Sequence, residues 1–186
     1  MNKLDPISTI CALIDESDGY LALSTITSPS PRPIAHHFDK LSEDDKADNE
    51  LGELFREEAE NDGWPFLSLA QVAFDGNTPL LLISDMSDHT RNIANDNRVS
   101  LLIDGTVGEN RMDSGRVALI GRAKIVDKNN HRDVYLAQHP KAKTYFDFDD
   151  FNMYTIEVLY ARLNAGFGQA FWVHGDEIKG ERNGNR

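Results

Sequence analysis

LLLISDMSDHTRNIANDNRVSLLI, residues Leu80 to Ile103, reads as a strand, a polar turn, a short helix and a second strand. Its two apolar runs are short and β-prone, and between them Ser87 or Asp88 can cap a helix running to about Asn95. The chemistry gathers at the helix start. First-turn N–H groups without partners and the positive end of the helix dipole face outward there. The hydroxyls of Ser84, Ser87 and Thr90 can donate, and Arg91 adds a fixed positive charge beside His89 and Asn92. Two readings stay open on these residues: an anion site, and an ordinarily capped helix carrying a surface arginine. Asp88 opposes the first unless its carboxylate turns away and caps the backbone.

Working outward, FLSLAQVAF (Phe66 to Phe74) and the turn Asp75-Gly76-Asn77 form a hairpin with Leu80 to Ser84, since the turn residues tolerate positive φ. Asp5-Pro6 starts a helix to about Asp15 with Ile7, Ile10, Cys11 and Ile14 at helical spacing, and Tyr20 to Ile26 reads as a strand. Between these elements, Pro29, Pro31, Pro33 and a long acidic stretch mark an insertion at about 27–62. Leu51, Leu54, Phe55 and Ala59 predict a surface helix inside it. On the C-terminal side Arg98 to Asp104 and Val117 to Val126 are strands, the second with Gly121 where a bulge belongs. Lys128 to Gln138 reads as a helix closed by His139-Pro140. Tyr154 to Tyr160 alternates as a half-buried strand, and Gly166-Phe167-Gly168 bends the chain into a last strand, Gln169 to His174. Six or seven strands with short antiparallel connections and a few helices predict one α+β domain over 1–186, built on a closed or partly closed sheet.

With 31 acidic against 19 basic residues the net charge is −12, a sign that repels nucleic-acid phosphate and anionic membranes. The one cysteine, Cys11, cannot form an internal disulfide; a reducing, cytoplasmic setting follows. The first eighteen residues lack a basic leader and a long apolar run, and no stretch reaches the length of a membrane span. GFGQA at Gly166 to Ala170 lacks the third glycine and the following helix of a dinucleotide loop. His36-His37 beside Asp39 have no third ligand at a recognisable spacing, so no metal site is expected.

GWPFLSLAQVAFD, LLLISDMSDHTRNIANDNRVSLL and GRAKIV together resemble the FMN-binding split β-barrel superfamily of pyridoxamine 5′-phosphate oxidase-related proteins. The segment HPKAKTYFDFDDFNMYTIEVLYARLNAGFGQAFWVHGDE resembles its haem-utilisation, HugZ-type branch. The resemblance implies an α+β fold, a six-stranded antiparallel split β-barrel with flanking helices, paired as a homodimer with cofactor sites at the interface. It implies an FMN ring against Phe66 to Ala70, which includes Ser68, a hydroxyl contact from Ser84, and the phosphate at His89, Thr90, Arg91 and Asn92. The partner chain would add residues near Gly168, Gln169 and Trp172.

The chain also departs from the oxidase pattern. His89 and Thr90 stand where those oxidases carry an arginine and a lysine, Ser68 where they carry an arginine, and Ala73 where they carry a lysine. The haem-degrading relatives use a tail histidine as iron ligand, and the tail EIKGERNGNR has none. Three functions follow as expectations: an FMN-dependent oxidoreductase acting on a small molecule; a haem-binding or haem-degrading protein using His89, His174 or another histidine; and a cofactor-free dimeric binding module. No catalytic residue is singled out.

Overall fold

The computed structural model describes residues 4–27, 63–105, 114–166 and 168–183. Helix α1 (Pro6–Glu16) starts as its sequence dictates: Asp5 Oδ1 accepts the Ile7 N–H at 3.1 Å and Pro6 occupies the first turn, where no N–H is needed. Its apolar face, Ile10, Leu13 and Ile14, is buried. Strands β1 (Tyr20–Ile26), β2 (Pro65–Asp75) and β3 (Thr78–Ser84) follow, then helix α2 (Asp88–Asn95) and strand β4 (Arg98–Asp104). Next come β5 (Arg116–Val126), a 3₁₀ turn (Lys128–His131), α3 (Arg132–Gln138), a second 3₁₀ turn (Pro140–Thr144), β6 (Phe151–Asn164), β7 (Ala170–His174) and α4 (Gly175–Asn183).

The strands form one antiparallel sheet in the order β3-β2-β1-β4-β5-β6-β7, and a further β3–β6 pairing closes the first six into a barrel. The α+β split barrel is therefore present, with β7 added to the edge of β6. The β2–β3 hairpin turns on Gly76-Asn77, with Gly76 at φ +60°. In β5–β6 the register shifts between Ile120 and Gly121. A Cβ at Gly121 would stand 2.1 Å from the Glu157 carbonyl oxygen, so only glycine lets the two backbones meet there.

Two clusters of buried residues hold the fold. Inside the barrel, Leu21, Leu23, Val72, Leu81, Leu101, Leu119, Ile156 and Leu163 pack together, with α1 residues against the same cluster. Outside it, Ala73, Leu80, Leu82 and Met153 pack under Tyr135, Ala142 and Phe146. This second layer explains the unbroken apolar run of β3: one side chain faces the barrel and the next faces the outer layer.

Several elements differ from their sequence reading. The helix expected over Lys128 to Gln138 is a 3₁₀ turn followed by α3, because Asp127 Oδ1 caps the Asn129 N–H and tightens the first turn. The strand expected over Tyr154 to Tyr160 runs from Phe151 to Asn164, since the sheet continues pairing at both ends. Helix α4, which periodicity did not mark, buries Ile178 and lies against α1; the Asn77 amide donates to the Ile178 carbonyl at 2.7 Å. The acidic insertion lies outside the described residues, with its expected helix about Leu51, Leu54, Phe55 and Ala59 and the His36-His37 pair. Among the described residues no helix is long and apolar enough to cross a membrane.

Candidate functional site

The start of α2 is a knot of hydroxyls. The Ser84 carbonyl accepts both the Ser87 and the Thr90 hydroxyls at 2.7 Å, and those two hydroxyls lie 2.7 Å from each other. Ser84 Oγ donates to Asp150 Oδ2 at 2.7 Å and accepts the Met86 N–H. Ser87 occupies the N-cap position but makes no side-chain cap bond to the helix. Its hydroxyl instead ties the helix start to the end of β3, because a serine beside a turn readily bonds local backbone.

Arg91 points back along the turn. Its guanidinium donates to the Met86 carbonyl at 2.9 Å and meets Asp88 Oδ1 at 3.4 Å. Asn92 turns inward, buried, and donates to Thr25 Oγ1 at 2.9 Å, pinning α2 to β1. His89 is half-buried, with Nδ1 3.2 Å from Ser68 Oγ on β2. Burial pushes its pKa below the ordinary value, against a smaller upward pull from Asp88. Asp85, bonded to the Asn152 amide, and Asp150 add carboxylates to the same corner. The helix start thus brings together Ser68, Ser84, His89, Thr90 and Arg91, and commits Asn92 to the core.

Gly168, Gln169 and Trp172 lie elsewhere. Gly168, at φ +73°, turns the chain from β6 into β7, and the Ala165 N–H donates to the Gln169 carbonyl at 2.8 Å. Trp172 is 63% exposed, and the Arg162 guanidinium lies 5.2 Å from its ring centroid. Trp172 pairs with Arg162 on β6, whereas Ser84 pairs with Phe151. Eleven residue steps along β6, from Phe151 to Arg162, separate those positions, about 35 Å of strand path. One chain therefore keeps the two groups of candidate residues apart.

Between them lies an uncovered sheet face that sequence reasoning did not single out. Cross-strand partners share a face, so the register sets Leu69, Ala22, Leu102, Ala118, Arg162 and Trp172 side by side. The adjacent row includes Leu67, Ser24, Ser100, Ile120 and Tyr160. Leu67 and Leu69 are 70% and 69% exposed. The signal was in β2: FLSLAQVAF is apolar on both faces, as a strand covered on both sides is. A separate concavity beside α1, lined by Asp15, Asp18, Gly19 and His139, lies away from the helix start. His139 is buried there with Nε2 on the Val72 carbonyl at 2.9 Å. Among the described residues no group of three histidine, cysteine or acidic side chains is arranged to hold a metal ion.

A closed six-stranded antiparallel barrel with a helix start at the end of β3 defines the class, a split barrel of the pyridoxamine phosphate oxidase-like fold. The family model for the CREG β-barrel matches residues 50–179, and the chain belongs to that family. It is 34% identical over 124 residues, 64% of its length, to "Non-canonical heme oxygenase HOZ, chloroplastic" of Arabidopsis thaliana. It spans 38% of the length of that relative. A haem-binding protein from Mycobacterium smegmatis superposes with a TM-score of 0.72 at 23% identity, covering 96% of this chain and 62% of that one. A Clostridium acetobutylicum protein of the pyridoxine phosphate oxidase family superposes with a TM-score of 0.58 at 10% identity, covering 92% and 96%. At those identities the two structures share the fold.

Proposed function

We propose that this chain binds haem in a cleft formed by two copies, with the α2 start of one copy facing the β7 corner of the other. The observation that carries the reading is that the guanidinium at the helix start is already engaged by its own chain. Where an FMN phosphate needs cations, Ser68 and His89 are bonded to each other, and Arg91 is held by Asp88 and the Met86 carbonyl. A phosphate dianion there would meet Asp85, Asp88 and Asp150 with little to offset them.

Porphyrin makes different demands: a flat apolar wall, cations for two propionates and a nitrogen donor for iron. The residues fit these demands. Leu67, Leu69 and Trp172 present apolar surface, Arg162 beside Trp172 supplies a guanidinium for a carboxylate, and histidine nitrogens are available. Likeness to a haem oxygenase over 64% of the chain supports the same ligand, and the shared fold with a haem-binding protein agrees with it. Bound haem supplies iron and its redox chemistry; the protein orients the macrocycle and limits solvent access to it.

A second reading, an FMN-dependent oxidoreductase, draws on the hydroxyl-rich start of α2 and on the fold shared with the pyridoxine phosphate oxidase family. Separate titrations of the apo protein with ferric haem, read by the Soret band, and with FMN, read by flavin fluorescence, test the choice. Haem binding at about one per chain with no FMN binding is the expected result. FMN binding without haem binding overturns the haem reading, and binding of neither favours a cofactor-free module.

A further inference from the structure

We infer that His89 is the protein ligand to the haem iron, through Nε2, and that Ser68 is the positioning residue that aims it. The inference rests on the haem reading above and adds to it the atom that would meet the metal.

An iron-ligating histidine needs one ring nitrogen bare and directed outward, and the other held by an acceptor that fixes tautomer and ring plane. Of the four histidines among the described residues, His89 and His139 each have one ring nitrogen held, and of these two only His89 lies outside the buried core. Its Nδ1 lies 3.2 Å from Ser68 Oγ, while Nε2 has no hydrogen-bond partner and is not buried. A serine hydroxyl can accept as well as donate. With Nδ1–H donating to Ser68 Oγ, Nε2 carries the lone pair and spends it on no hydrogen bond.

The other three fail on geometry. His139 is buried with Nε2 against the Val72 carbonyl. His131 has Nδ1 buried beside Asp75 and sits by α3, on the outer layer of the barrel. His174 is exposed and leans on Tyr160, with ring centroids 5.4 Å apart, and neither ring nitrogen has a partner to fix the tautomer.

The surroundings of His89 suit iron as well. Its ring projects from the first turn of a helix anchored on either side of Arg91, by Thr90 to the Ser84 carbonyl and by Asn92 to Thr25, so the imidazole stands on a fixed base. Met86, 57% exposed in the turn that leads into α2, adds an apolar side chain near the helix start.

The test is ferric-haem titration of the full chain, read by absorption and electron paramagnetic resonance, for wild type, His89→Ala, His89→Gln, Ser68→Ala and His174→Ala. Circular dichroism checks that each variant is folded. Wild type and His174→Ala are expected to show imidazole-ligated iron. His89→Ala and His89→Gln should lose that signature, and free imidazole should restore it in His89→Ala. Ser68→Ala should keep the signature and bind about tenfold more weakly, the usual cost of removing the group that orients a ligand. An unchanged spectrum in both His89 variants, or loss of the signature in His174→Ala, overturns the assignment while leaving haem binding in place. Absence of a Soret band in wild type overturns the haem reading itself.

Discussion

His89 shows how one burial decision sets chemistry. Its ring sits in the angle between α2 and β2, and desolvation outweighs the Asp88 carboxylate, so its pKa lies below the ordinary 6.5. Above 6.5 the ring is neutral in both folded and unfolded chains, and its contribution to stability is complete. As pH falls below 6.5 the unfolded chain takes the proton first, so stability declines until pH has passed the lower folded value. Urea unfolding at about pH 7.5 and about pH 5.5 should show a smaller loss for His89→Asn than for wild type. An equal loss would mean that other groups set the acid side of the curve. Thr90, Ser87 and Ser84 were legible as a polar group at a helix start, and their use was not. Whether a hydroxyl serves a ligand or its own backbone depends on where the neighbouring carbonyl falls, and Ser84 supplies that carbonyl at 2.7 Å.

At the scale of elements, backbone approach and loop entropy set the tolerances. Gly121 lies at the register shift of the longest strand pair, where an added Cβ meets the Glu157 carbonyl at 2.1 Å. Gly121→Ala should cost about 2–4 kcal/mol and lower the melting temperature by several degrees. A thermal midpoint equal to wild type would show that the strands can part without loss. The acidic segment between β1 and β2 leaves and re-enters at facing positions. Ile26 pairs with Pro65, the Thr27 N–H donates to the Trp64 carbonyl at 2.8 Å, and the Trp64 N–H donates back to Thr27 Oγ1 at 2.9 Å. Joining residues 27 and 63 through a short turn should therefore keep the barrel and stabilise it by up to about 2 kcal/mol, from reduced loop-closure entropy. A shortened chain that is molten by near-ultraviolet circular dichroism would show that the segment packs on the barrel.

For the whole molecule, the uncovered face of β2-β1-β4-β5-β6 sets the expected assembly. Small side chains at Ala22, Ser24, Ser100 and Ala118 lie between Leu67 and Leu69 on one side and Tyr160 and Trp172 on the other. A flat apolar area of that kind favours packing against a second sheet, and the largest self-complementary partner is another copy. Two chains would also bring an α2 start and a β7 corner together, which one chain holds about 35 Å of strand apart. Light scattering is expected to return a dimer, and Leu69→Glu with Leu102→Arg should convert it to folded monomers that no longer bind haem. A wild-type mass near 20.9 kDa at micromolar concentration would remove both the assembly and the shared cleft.

Local rules in the sequence determined much of this chain. The Asp5-Pro6 start of α1, the β2–β3 hairpin on Gly76-Asn77 and the span of β4 each follow from residues within a few positions of one another. An α+β fold on a closed or partly closed sheet was legible from the order of those elements, and the split barrel from the family resemblance of their motifs. Tertiary structure decided what depends on distant partners. It closed the barrel through β3 and β6, which lie some seventy residues apart in the chain, and it formed α4 by burying Ile178 beside α1. It turned Asn92 toward Thr25, paired His89 with Ser68, and left Leu67 and Leu69 uncovered. Periodicity reports which side chains prefer burial; only the folded chain decides which surface covers them and which hydrogen bonds are already taken.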